Sequence, residues 1–143
     1  MNNTSSRGYR GYIGSRAYRG QTTPQHVQNL VIRDYCQRNQ LLYLLSATEY
    51  HMPGAYIMLE EVLGEIEQLD GMVFYSFSLL PSNQSRREGV IKRVLESGGS
   101  LHCALENLCV HDQRSWQQLE DILAVTRLVK EQSELSPDSF LSQ

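Results

Sequence analysis

Glu49 and His51 stand two residues apart in the stretch Ser46-Ala-Thr-Glu-Tyr-His-Met-Pro-Gly54. A carboxylate beside an imidazole is the usual equipment for moving a proton near neutral pH. Chance also produces such pairs, and two polar residues in a loop serve equally well as solvated surface. Ser15, Arg16 and Arg19 come earlier, just ahead of Thr23, Gln25 and Gln28. If Thr23 opens a helix, the free amides at its start suit a phosphate or carboxylate, and two guanidinium groups would strengthen that hold. The plainer reading is a turn serine followed by two loop arginines in water. Ser76 and Ser78 follow one apolar run, and Glu106 and Asn107 follow another. Glu49, His51 and Ser15 are therefore the catalytic candidates. Arg16, Arg19, Thr23, Gln25, Gln28, Ser76, Ser78 and Glu106 are the candidates for holding a substrate.

No P-loop, Gly-x-Gly-x-x-Gly, Gly-x-Ser-x-Gly elbow or zinc spacing is present, so no cofactor and no metal is expected. Cys36, Cys103 and Cys109 lack ligand spacing and read as reduced, buried thiols. His102 lies inside an apolar run and reads as a hydrogen-bonded core residue, whereas His26 and His111 read as surface residues.

Four strands and four helices in alternation would carry these groups. Met72 to Tyr75 is an unbroken apolar run between Asp70-Gly71 and Pro81, the pattern of a strand buried on both faces of a parallel sheet. Arg10 to Ser15 is the first strand, Leu41 to Leu45 the second and Ser100 to Leu105 the fourth. The intervening helices run from Thr23-Pro24 to Asn39, from Ala55 to Leu69 and from Arg86 to Ser97, with a last amphipathic one from Arg114 to Lys130. Thr23 is the expected N-cap and Asn39 the expected left-handed stop. The expected architecture is a three-layer α/β/α domain with a mostly parallel four- or five-stranded sheet over residues 10–132, flanked by a loose segment 1–9 and a loose tail 133–143. In such a sheet the candidate residues all follow strands at one edge, where α/β proteins place their chemistry.

The chain has 143 residues, 41% of them hydrophobic, enough for one well-buried core. Its net charge of -3 gives no general attraction to nucleic acid or anionic membrane. No run reaches the roughly 20 apolar residues of a membrane span, and the N-terminus lacks a hydrophobic signal core, so a cytoplasmic protein is expected.

Arg10-Gly-Tyr-Ile-Gly-Ser-Arg16, Tyr43-Leu-Leu-Ser-Ala-Thr-Glu-Tyr50, Met52-Pro-Gly-Ala-Tyr-Ile-Met-Leu-Glu60 and Leu69-Asp-Gly-Met-Val-Phe-Tyr-Ser76 resemble the bacterial sporadic carbohydrate-cluster family, together with the segment Pro24 to Cys36. That resemblance covers about Arg10 to Val125 and implies a role in surface-carbohydrate biosynthesis without naming a reaction. Gly11-Tyr12, Gln28, Pro53-Gly54, Asp70, Glu106 and the long last helix also resemble, more distantly, the catalytic domain of serine recombinases. This second resemblance implies a resolvase-like fold, and association of two copies through the last helix as a homodimer or higher oligomer. It departs from that family where Gly14-Ser15-Arg16 puts the serine one residue out of register with Arg-x-Ser. It departs again where Ser78-Leu-Leu-Pro-Ser82 replaces Asp-Arg-Leu-x-Arg.

The first reading is a small protein of carbohydrate or nucleotide-sugar biosynthesis, with no nucleic-acid and no membrane partner. It would bind a phosphorylated sugar at the strand-end edge and act on it by acid/base chemistry, the reaction class unassigned. The alternatives are a non-catalytic accessory or scaffold protein of such a pathway and, disfavoured by the departures above, a DNA-binding recombinase relic.

Overall fold

A computed structural model describes residues 6–15, 23–50 and 55–134. The chain divides into two compact units, Met1–His111 and Asp112–Gln143. The first unit holds strands β1 (Tyr9–Gly14), β2 (Tyr43–Glu49), β3 (Gly71–Phe74), β4 (Ser100–Cys103) and β5 (Leu108–Val110), and helices α1 (Gln25–Arg38), α2 (Ile57–Gly64) and α3 (Gln84–Glu96). The sheet order is β2-β1-β3-β4-β5. The β1–β2, β1–β3 and β3–β4 pairs are parallel, and β5 returns antiparallel to β4. This is the mostly parallel α/β sheet that the apolar runs predict.

Central β3 is buried along its whole length, with Met72, Val73 and Phe74 fully inaccessible. Burial on both faces explains why its sequence does not alternate. On one face Ile13, Val73 and Ala104 pack with Ile32, Tyr35 and Cys36 of α1. Those α1 residues, together with Gln28, share the helix's inward side. On the other face Arg10 pairs with Glu65 at the end of α2, and Tyr12 reaches Glu49 near the start of α2. Arg93 of α3 pairs with Glu60 of α2 on that side.

Gly71 starts β3 with φ +148°, and a Cβ built there would run into the Ser100 carbonyl oxygen. Only glycine lets β4 approach that closely. Asp70 beside it accepts from the amides of Arg7 and Gly8, both at 2.8 Å, and its own amide donates to the Gly8 carbonyl. The start of β1 is thus tied to the start of β3.

Several boundaries differ from the expected ones. Helix α1 begins at Gln25 with Pro24 as its N-cap residue and no side-chain cap. Its end is Asn39 at φ −104°, and it is Gln40 that takes the positive φ. Strand β2 extends through the polar Ser46-Ala-Thr-Glu49, because β1 pairs with it up to Gly14↔Glu49. The expected helix from Ala55 to Leu69 is a shorter α2 followed by a 3-10 turn at Ile66–Gln68.

The second unit contains helix α4 (Gln113–Glu134). Asp112 and Ser115 cap it reciprocally: the Ser115 amide donates to Asp112 Oδ1 at 2.8 Å, and the Asp112 amide donates to Ser115 Oγ at 3.1 Å. Among the described residues no helix is long and apolar enough to cross a membrane.

Candidate functional site

Parallel pairing brings the ends of β1, β2 and β3 to one edge, with Gly14 opposite Glu49 and Tyr12 opposite Phe74. Ser15 is the first residue past β1. Its amide donates to the Glu49 carbonyl at 3.0 Å and its hydroxyl donates to the same oxygen at 3.3 Å. Ser15 and Glu49, far apart in the chain, are therefore neighbours.

The Glu49 carboxylate points elsewhere. Its Oε1 accepts from the Tyr12 hydroxyl at 2.8 Å and from the Leu59 amide at 3.1 Å, and its Oε2 accepts from the Met58 amide at 3.1 Å. The residue is 7% exposed. A buried anion is thereby matched to the free amides of the first turn of α2, which also presents the positive end of its dipole. This geometry makes Glu49 the brace between β2 and α2. Tyr12, its partner on the adjacent strand, is absent from the candidates that the sequence supplies. The alternation of β1 is the signal that would have found it, since a tyrosine two residues before the strand end faces α2 with Arg10.

Gln28 is 3% exposed and forms a second brace. Its Oε1 accepts from the Gly14 amide at 3.0 Å, and its Nε2 donates to the Gly14 carbonyl at 2.7 Å and the Thr23 carbonyl at 2.8 Å. The last residue of β1 is thus bound on both sides to the entrance of α1. Thr23 contributes its carbonyl to this brace, and Gln25 is exposed at the first position of α1.

Past β3, the Ser76 hydroxyl donates to Glu106 Oε2 at 2.6 Å and accepts from the Ser78 amide at 3.1 Å. The Phe77 amide donates to Glu106 Oε1 at 3.0 Å. Ser76, Ser78 and Glu106 therefore meet, and together they shape the exit of β3. Asn107 follows at φ 57°, turning the chain back into β5. Arg87 in the first turn of α3 is 4% exposed and donates to the carbonyls of Pro81 and Ser82 at 3.2 Å each, fixing the far side of the same loop. Arg16, Arg19 and His51 lie outside the described residues. No group of three or more metal-ligating side chains is present among the described residues.

A separate polar cluster lies on the α1 face. The Tyr35 hydroxyl sits 2.6 Å from His102 Nδ1, and Ser100 Oγ sits 2.9 Å from His102 Nε2 and 2.9 Å from the Tyr9 hydroxyl. Cys109 Sγ approaches the same Nε2 at 3.8 Å. Both tyrosine rings meet the imidazole edge-on. Burial, with a smaller contribution from His111, pushes His102 down to about 4. Burial likewise pushes Tyr35 up to about 12 and Cys36 up to about 11. His102 is the hydrogen-bonded core residue that its place in an apolar run predicts, and His26 and His111 are exposed. Cys36 and Cys103 are buried free thiols, and Cys109 is partly exposed.

No protein-family model matches the chain, and no curated protein matches it in sequence. Two solved structures match it in fold. The N-terminal catalytic domain of TP901-1 integrase superposes with a TM-score of 0.62 at 13% identity, covering 85% of this chain and 97% of that one. A resolvase family site-specific recombinase from Streptococcus pneumoniae superposes with a TM-score of 0.60 at 12% identity, covering 94% of this chain and 99% of that one. These likenesses correct the expected function. The carbohydrate-pathway reading, as enzyme or as accessory protein, and its sugar-phosphate ligand rested on sequence resemblance that no family model supports, and the fold neighbours are DNA-recombining proteins. The exclusion of a nucleic-acid partner falls with it, because a net charge of -3 averages over a surface on which binding is a local matter. The chain has the fold of a resolvase-type catalytic domain.

Proposed function

We propose that the chain works on DNA as a domain of the serine-recombinase type, with Ser15 as the hydroxyl presented to a phosphodiester. The supporting observation is the placement of Ser15. It is the first residue beyond β1 at the edge where parallel sheets carry their chemistry; Gln28 holds the backbone of the preceding Gly14, and the Glu49 carbonyl accepts from the Ser15 amide and hydroxyl. In the proposed step a bond forms between Ser15 Oγ and phosphorus, and the bond from phosphorus to one sugar oxygen breaks. The hydroxyl proton passes to water, and the leaving oxygen takes up a proton. Cations must offset the charge that develops on the phosphoryl oxygens, and Arg16 and Arg19 follow Ser15 in the sequence.

A second reading is DNA association without cleavage. It is favoured by the β3 exit, where the Ser76 hydroxyl and the Phe77 amide are taken up by the Glu106 carboxylate and so are not offered to a phosphate. Incubating the full chain with a random-sequence pool of labelled duplexes, then denaturing it, separates the two. A protein–DNA adduct that survives denaturation and is lost in Ser15→Ala supports cleavage. Binding without an adduct supports the second reading. Absence of both binding and adduct overturns the proposal.

A further inference from the structure

We propose that Tyr50 is a stacking platform for a nucleobase beside Ser15, so that the site takes DNA with unpaired bases in preference to intact duplex. The proposal rests on the DNA reading of Ser15 and specifies which form of DNA that site takes. The Ser15 amide donates to the Glu49 carbonyl at 3.0 Å, which carries the β1–β2 register one pair past Gly14↔Glu49 and sets Ser15 opposite Tyr50. Opposed residues of neighbouring strands lie on the same side of a sheet, with their backbones about 4.8 Å apart. Ser15 falls two positions after Ile13, which packs against α1, so the same alternation puts Ser15 and Tyr50 on the α1 side.

Tyr75 belongs to that side as well. Its amide donates to the Tyr12 carbonyl at 3.0 Å, which sets it opposite Ile13, and it packs half-buried against the cluster that contains Ile13. Ser15 is thereby flanked by a tyrosine at the end of each neighbouring strand, and the one directly opposite it, Tyr50, is 69% exposed. The Glu49 carboxylate puts no negative charge on this side, because Tyr12 and the first-turn amides of α2 hold it across the sheet.

A phosphodiester seated at Ser15 carries its base one sugar away, within reach of the Tyr50 ring. In a duplex both faces of that base are covered by its neighbours, and a ring beside the phosphate finds nothing to stack on. A base outside the stack offers a free face, and an aromatic side chain takes it whatever the base. Phosphate contacts alone favour the duplex, whose charge density is the higher. A preference for the unpaired form therefore reports the ring.

The test titrates the full chain, at one fixed salt concentration, into a labelled oligonucleotide of mixed sequence. The oligonucleotide is presented as single strand, as full duplex and as duplex with a central mismatched bubble, and binding is read by fluorescence anisotropy. Single strand and bubble are expected to bind at least about fivefold more tightly than duplex. Tyr50→Ala should abolish that preference, and Tyr50→Phe, which keeps the ring, should retain it. Duplex bound as tightly as single strand overturns the proposal and leaves the DNA reading of Ser15 standing. So does a preference that survives in Tyr50→Ala, or one that Tyr50→Phe loses as fully as Tyr50→Ala. Failure to bind any of the three forms overturns the proposal and the DNA reading together.

Discussion

The Tyr12 hydroxyl donates to Glu49 Oε1 at 2.8 Å, and the same carboxylate receives the amides of Met58 and Leu59. One side chain thereby joins β1, β2 and α2. Removing it leaves three donors in a nearly dry site. Glu49→Ala is expected to cost about 3 kcal/mol of folding stability, Glu49→Gln less, and Tyr12→Phe about 1 kcal/mol. Urea unfolding of the three variants checks the order.

Gly71→Ala is expected to be more damaging than its size indicates. The residue sits at φ +148°, and a Cβ would meet the Ser100 carbonyl oxygen. Separation of β3 from β4 at their first pair should cost on the order of 3 kcal/mol or prevent folding. A variant with unchanged unfolding midpoint would show that the two strands can part there at no cost.

Gln28→Glu tests the second brace. The substitution removes both donors facing the Gly14 and Thr23 carbonyls and puts a carboxylate against them. A loss of roughly 2–3 kcal/mol at neutral pH, partly recovered in mild acid as the new carboxylate protonates, is the expected outcome. It is read from urea unfolding at two pH values.

The architecture was legible because burial leaves a direct mark on composition. The apolar run Met72–Tyr75 announces a central strand, and Val27, Leu30, Val31 and Tyr35 announce a helix. The end of β2 was not legible, since Ser46, Thr48 and Glu49 look like loop residues until Glu49 is seen to be satisfied by amides of α2. Nothing within β2 records that partner, which belongs to a helix further along the chain. Strand β5, the fifth strand that a four- or five-stranded sheet allows, was not located for a similar reason. It is three residues long and depends on the turn at Asn107 and on pairing with β4. The meeting of Ser15 with Glu49, and of Ser76 with Glu106, follows from parallel topology and could be argued from sequence. The direction each carboxylate faces could not.

His102 makes stability depend on acid. Its folded value is lowered to about 4, below the ordinary 6.5 that it regains on unfolding. The unfolded chain therefore binds the extra proton in that interval, and stability falls as pH drops from about 6.5 to about 4, levelling off below. The full effect is about 3 kcal/mol at 1.36 kcal/mol per pH unit. His102→Gln should flatten this part of the curve, as measured by unfolding at a series of pH values.

DNA association is tested most directly by titrating labelled duplex DNA with the purified full chain over a series of salt concentrations. The account predicts binding whose logarithm of affinity falls linearly with the logarithm of salt, because cationic side chains displace counterions from phosphates. No binding at the lowest salt, or an affinity indifferent to salt, contradicts it.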